Sequence, residues 1–208
     1  MIVVVDYGAG NLRSIEKALA RQGLDVRITD TPGAVDRAEA LVVPGDGAFG
    51  PAMARLNASG FADRIRDFAA SGKPFLGICL GMQLLFTESA EDGIHAGLGL
   101  LPGRVERLPR GVKVPHMGWN DLRILRPVPL LEGCATGAHV YFIHSYHAVP
   151  EDPAIVAATA EYGVELAAVV GRENVWATQF HPEKSGSIGI RILANFARWA
   201  VGAGASGR

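Results

Sequence analysis

Several things are scarce in this sequence, and each scarcity removes a class of protein. Only Cys79 and Cys134 are cysteine among 208 residues, too few for a disulfide framework. A reducing, cytoplasmic setting is therefore expected. Charge of one sign is not in excess: 20 Lys and Arg against 21 Asp and Glu leave a formal net charge of −1. That balance gives no electrostatic reason to expect nucleic acid as a partner. No apolar run approaches the ~18 residues of a membrane span, so no membrane partner is expected either. The opening MIVVVDYG has no basic segment and no small-residue cleavage site, and reads as a first strand rather than an export signal. Repeats, long linkers and low-complexity blocks are missing as well. One domain is expected over residues 1–202, with 203–208 as a flexible tail.

What is present reads as an α/β protein. IVVVD (2–6) is a buried β-branched strand. The stretch NLRSIEKALARQG follows, with Leu12, Ile15, Ala18 and Leu19 on one helical face, Asn11 as N-cap and Gly23 as the stop. DVRIT and ALVVPG read as the next strands, and 61–71 as a second helix carrying Phe61, Ile65 and Phe68. A strand then runs into Cys79 with a helix behind it. This alternation predicts a mainly parallel central sheet flanked by helices. The second half turns to strands: AHVYFIHSYHAV, AIVAATAEYG, LAAVV and VWATQFHPE, the last two joined by a hairpin turn at GREN. GSIGIRILANFARWAV closes the chain as a helix, with Ile188, Ile192 and Phe196 facing inward.

The chemistry concentrates at KPFLGICLGMQLLF (73–86). A free cysteine is most often a small buried hydrophobe. Here, however, G-x-C-x-G stands between a strand and a helix, the thiol counterpart of the nucleophile elbow, which projects a side chain from the sheet edge. The glycines are expected to let the backbone fold sharply. A helix start behind the cysteine favours thiolate and offers N–H groups to a developing oxyanion. A thiol nucleophile needs a base and a group to orient that base. In TQFHPEKSG, His181 precedes Pro182 and is pushed towards extended geometry, where Glu183, two residues on, lies on the same side. A solvated acid pair on a surface turn is the bland alternative. With the elbow, the pattern predicts a Cys-His-acid triad. VPGDGAFG (43–50) is a glycine-rich turn able to aim N–H groups at an anion, or a plain strand-to-helix loop.

Two rival chemistries fit poorly. DYGAG with Asp30 downstream suggests a dinucleotide fingerprint, but its third glycine would fall at Arg13. His144 and His147 in HSYH stand three apart on an expected strand and would face opposite sides, and His116, His139 and Cys134 lack ligand spacing; no metal or cofactor is expected.

GICLGMQ together with QFHPEKS resembles the class I glutamine amidotransferase family over nearly the whole chain. DYGAGNLRS, PHMGWN and YFIHSY resemble the glutaminase subunits of that family which serve a separate (β/α)₈-barrel cyclase in histidine biosynthesis. The resemblance implies a flavodoxin-like α/β fold with extra antiparallel strands in the C-terminal half. It implies hydrolysis of glutamine to glutamate and ammonia, the ammonia passing to the cyclase in a heterodimer. Cys79 would be the nucleophile, His181 the base and then acid, and Glu183 its orienter. Gly45, Asp46 and Leu80 would stand at the oxyanion hole, and Gly47, Gln83, Glu91, Ser145 and Tyr146 around the bound glutamine. His116, Met117, Trp119, Tyr141 and Lys184 would lie towards the cyclase. Pro-Gly-Asp-Gly stands where Pro-Gly-Val-Gly is expected, placing a carboxylate beside the oxyanion unless it points away. A family member serving anthranilate or guanylate synthesis, or a stand-alone cysteine hydrolase, is the alternative.

Overall fold

The computed structural model describes residues 1–206. In chain order its elements are β1 (Ile2–Val5), α1 (Leu12–Ala20), β2 (Val26–Thr29), β3 (Ala40–Val43), α2 (Phe49–Ser59), α3 (Phe61–Ala70), β4 (Phe75–Ile78), α4 (Leu80–Gln83), β5 (Phe86–Ser89), β6 (His95–Ala96), β7 (Leu101–Arg107), β8 (His116–Ile124), β9 (Ala138–His144), β10 (Tyr146–Pro150), β11 (Val156–Glu161), β12 (Glu165–Arg172), β13 (Val175–Thr178) and α5 (Gly186–Ser206).

Nine strands form one sheet in the order β2-β1-β3-β4-β13-β12-β11-β8-β9, and β10-β7-β5-β6 form a second, smaller sheet. The pairings from β2 through β13 are parallel, and the remainder of the large sheet is antiparallel. β1, β3 and β4 are buried at every residue, as parallel strands covered on both faces must be. Alternate side chains feed two cores. Val3, Val5, Leu41, Val43 and Phe75 pack under α2 and α3. Ile2, Val4, Val42, Leu76 and Ile78 pack under α1 and α5, where Ile15, Leu19, Ile192 and Phe196 meet them. Strand order reverses between β1 and β3, and a crevice opens beyond the carboxyl ends of the strands at such a point. The loops leaving β1, β3 and β4 are DYGAG, PGDG and the Cys79 turn, so topology alone gathers the three motifs.

Several elements differ from the sequence reading. α2 is not legible in the sequence, because Gly50 and Pro51 look like breakers. Both fall in its first turn, where proline is tolerated, and Phe49, Ala52, Met53 and Leu56 form its buried face. The helix behind Cys79 lasts one turn: Leu84, Leu85 and Phe86 are claimed by the core beneath the small sheet. AHVYFIHSYHAV is two strands, broken at Ser145, with β9 in the large sheet and β10 in the small one. The GREN hairpin is present, β12 and β13 pairing antiparallel with Glu173 at φ 51°. α5 runs on to Ser206, into the stretch read as a tail, and residues 207–208 lie outside those described. Among the described residues no helix is long and apolar enough to cross a membrane.

Candidate active site

β4 delivers Cys79 to the crevice at φ 55°, ψ −111°, a conformation few side-chain-bearing residues adopt and one that clusters at functional sites. The cysteine, not its glycines, makes the turn. Gly77 and Gly81 have ordinary φ, and packing is what demands their smallness. An added Cβ on Gly77 would meet the Gly81 carbonyl oxygen at 2.9 Å, and one on Gly81 would overlap the Val43 carbonyl at the end of β3. The elbow and the PGDG loop after β3 are thus in backbone contact.

β13, hydrogen-bonded to β4, leads to His181. Its Nδ1 lies 2.9 Å from Glu183 Oε1, and the Glu183 side chain is fully buried. The contact arises differently from the extended alternation expected: Pro182–Lys184 is a single 3₁₀ turn that curls the carboxylate back beneath the imidazole. Ser185 Oγ donates to the His181 carbonyl at 2.7 Å, and His181 N–H donates to the Tyr141 carbonyl at 2.9 Å, fixing the ring against β9. Burial works against a charged imidazole here. Hydrogen bonds with Cys79 and Glu183, and the charges of both, outweigh it and lift the His181 pKa to about 10. The buried arrangement therefore favours an imidazolium beside sulfur, with a carboxylate behind it.

A cavity of about 370 Å³ opens over Cys79 and His181. Gly47, Gln83, Glu91, Ser145 and Tyr146 all line it, as do Asp46, Leu80 and Lys184. Glu91 Oε2 accepts the Phe49 N–H at 2.7 Å, at the start of α2, so one carboxylate braces that helix and faces the cavity. Gly45 sits just outside: the space a side chain would need is taken by the Tyr7 hydroxyl, which donates to the Pro44 carbonyl at 2.9 Å. Burial, reinforced by Asp46 and Cys79, raises the Tyr7 pKa and keeps the phenol neutral. The Asp46 carboxylate accepts the Gly10 N–H at 3.0 Å, which turns it towards the β1–α1 loop and ties that loop to the PGDG turn.

The remaining predicted residues divide. Met117 and Trp119 are 58% and 57% exposed on one face of β8, and the Trp119 ring meets Tyr141 edge-on at 5.9 Å. His116, expected beside them, is buried on the opposite face, because alternation along β8 turns it inward onto Phe142 and His144. Four residues near the site are not among those the sequence assigns to it: Tyr7, Asn11, His144 and Gln179. Asn11, read as an N-cap, makes no capping bond through its side chain and lines the cavity instead. Gln179, two before His181 at the end of β13, could have been found by the same alternation that suggested Glu183.

The chain belongs to the glutamine amidotransferase class-I family, whose model matches residues 3–199. Among curated relatives, it is 55% identical over 203 residues to imidazole glycerol phosphate synthase subunit HisH of Syntrophotalea carbinolica, covering 94% of this chain and 98% of that one. The protein of the same name from Moorella thermoacetica is 50% identical over 206 residues, covering 99% and 98% of the two chains. Among solved structures, one described as a glutamine amidotransferase superposes with a TM-score of 0.76 at 25% identity, covering 97% of this chain and 100% of that one. A structure described as a GMP synthase component from Thermoplasma acidophilum shares the fold, with a TM-score of 0.74 at 20% identity, covering 99% and 96%.

Proposed function

We propose that this chain is the glutaminase subunit of imidazole glycerol phosphate synthase. Full-length relatives at about half identity carry that name. The observation that supports the chemistry is the elbow cysteine brought against a buried His181–Glu183 pair at the base of a cavity.

In this reading the Cys79 thiolate adds to the side-chain amide of glutamine. The tetrahedral oxyanion is met by backbone N–H groups of Leu80 and of the Gly45–Asp46 turn. His181 protonates the departing ammonia, leaving a thioester, and then removes a proton from the water that hydrolyses it to glutamate. Glu183 keeps the imidazole aligned and stabilises its charge. Gln83, Glu91, Gly47 and the Ser145–Tyr146 backbone hold the substrate's amino and carboxylate ends. Ammonia passes across the face of Met117, Trp119, Tyr141 and Lys184 to a (β/α)₈-barrel cyclase. There it joins a phosphoribulosyl-formimino aminoimidazole carboxamide ribotide to give imidazole glycerol phosphate and aminoimidazole carboxamide ribotide. Ammonium has no free lone pair, so a shielded path preserves the nucleophile. Glutamine is not wasted if the oxyanion turn is completed only when the cyclase is bound, and the chain alone is then a feeble glutaminase.

The test is Cys79→Ala in the assembled complex. Glutamine-dependent synthesis is expected to vanish while synthesis from added ammonium salt persists. Loss of both activities in a folded complex would make Cys79 structural and overturn the assignment.

A further inference from the structure

Cys79 has a polar neighbour that the glutaminase chemistry leaves unused. The side-chain nitrogen of Gln179 lies 3.8 Å from Sγ, and both residues are buried. An amide has a donor end and an acceptor end, and only the donor end favours a thiolate. A single backbone carbonyl decides which end faces the sulfur.

The Tyr146 carbonyl can only accept. It takes hydrogen bonds from Gln83 Nε2 at 2.8 Å and from His144 Nδ1 at 2.8 Å. The Gln83 amide is thereby oriented, and its second N–H points at Gln179 at 3.0 Å, which must answer with Oε1. The NH₂ of Gln179 is left for the sulfur. In the other direction the same carbonyl fixes His144 as the Nδ1–H tautomer, so its Nε2 accepts. His116 Nδ1, 3.0 Å away, must then carry a hydrogen, and His116 Nε2 accepts from Asn120 Nδ2 at 3.3 Å. The other hydrogen of Asn120 goes to the Glu161 carbonyl at 2.9 Å. Burial, the largest influence on both rings, holds His116 and His144 neutral, as this tautomer order requires. Each contact along the row pairs one donor with one acceptor, and reversing any member would set donor against donor or acceptor against acceptor.

We propose that Gln179 is the thiolate donor of the site, its amide N–H hydrogen-bonding the anionic sulfur of Cys79, and that the buried row through Gln83, the Tyr146 carbonyl, His144 and His116 holds it in that orientation. This deepens the reading of Cys79 as nucleophile and rests on it. Gln179 touches the reacting atom; the two histidines are positioning residues that act through it. The ionisable groups that face the sulfur or line its cavity are His181 with Glu183 behind it, Tyr7, His144, Asp46, Glu91 and Lys184. His181 supplies the opposite charge, and Gln179 adds a donor that neither takes up nor releases a proton during turnover.

The experiment follows the rate of Cys79 alkylation by iodoacetamide against pH in the full chain, with Cys134→Ser to leave one reactive sulfur. Gln179→Met, close in volume, removes the donor. His144→Leu breaks the row, and His144→Asn keeps a nitrogen near the Nδ1 position. Loss of a hydrogen bond to a charged group is expected to raise the alkylation midpoint by about one pH unit in Gln179→Met and His144→Leu, with His144→Asn restoring part of it. A merely structural role would lower thermal stability and leave the midpoint in place. An unmoved midpoint in Gln179→Met overturns the proposal, as does a midpoint moved in Gln179→Met but unmoved in both folded His144 variants. The measurement uses no glutamine, so its result stands apart from the Cys79→Ala experiment that tests the function itself.

Discussion

Replacing Gly81 by alanine adds one methyl group at the point where the Cys79 elbow leans on the PGDG loop. Real carbon–oxygen contacts keep about 3.3 Å, and the new methyl would intrude on the Val43 carbonyl by more than about 1 Å. Backbone cannot yield as a flexible side chain would. Relief requires α4 to lift, carrying Cys79, or the end of β3 to retreat, carrying Pro44 and Gly45. Either movement changes the distance between the sulfur and the proposed oxyanion donors, and misplacement of about 1 Å can cost on the order of 10² in rate. Overpacking of this kind costs about 1–3 kcal/mol in stability, within what a domain of this size tolerates. The expected result is a folded chain whose complex has lost about 99% of its glutamine-dependent rate, the same factor of 10², and kept its ammonia-dependent rate. The assay compares the two rates, with a thermal melt as a folding control. A Gly81→Ala complex with glutamine turnover within a few-fold of the parent would refute the claim that packing fixes the elbow against the loop.

Glu183→Gln keeps the shape of the orienter but removes the charge behind His181, and glutamate release should fall by roughly 10³–10⁴ in a folded protein; retention of more than a tenth of the rate would sink its assigned role. Asp46→Ala releases the proposed oxyanion turn from the Gly10 N–H. An exposed bond of this type is worth about 1 kcal/mol, so glutaminase activity of the isolated chain should rise roughly fivefold, and an unchanged rate counts against a restraining role. Stability should also fall in mild acid. Burial lowers His116 to about 4 and His144 to about 3, so below pH 6.5 the unfolded chain takes up protons these rings refuse. His147 is shifted in the same direction. His181, raised to about 10, contributes fully below pH 6.5 and loses its contribution as pH rises from there through 10. Denaturant titrations should therefore show a loss of about 2 kcal/mol between pH 6.5 and pH 5, and a flat profile would show that the buried rings are not held neutral.

Some of this molecule is legible in its sequence because one physical constraint dominates locally. The runs IVVV, ALVV and FLGI have no polar residue to expose, and their shortness between turn residues marks them as strands buried on both faces. Cys79 between two glycines after such a run carries its own context. His181 and Glu183 were found together by proximity, although the geometry joining them is a 3₁₀ turn. Elsewhere the deciding interaction is distant. α2 hides behind Gly50 and Pro51, and its apolar face makes sense only in the core it shares with α3, β3 and the small sheet. Ser145 gives no local sign that it divides a strand. The inward turn of His116 depends on Phe142 and His144, which come more than twenty residues later. Gln179 gains meaning only once the Tyr146 carbonyl has oriented everything between them.

The break at Ser145 makes the cavity a seam between two layers. Cys79 and His181 ride on the nine-stranded sheet, whereas Glu91 and Tyr146 arrive with the four-stranded one. The gap a substrate enters is therefore set by how those layers stack, and no single loop owns its width. Repacking deep inside the four-stranded layer shifts Glu91 and Tyr146 and so retunes which amide fits, while the sulfur, the imidazole and the carboxylate, all carried by the other layer, keep their mutual distances.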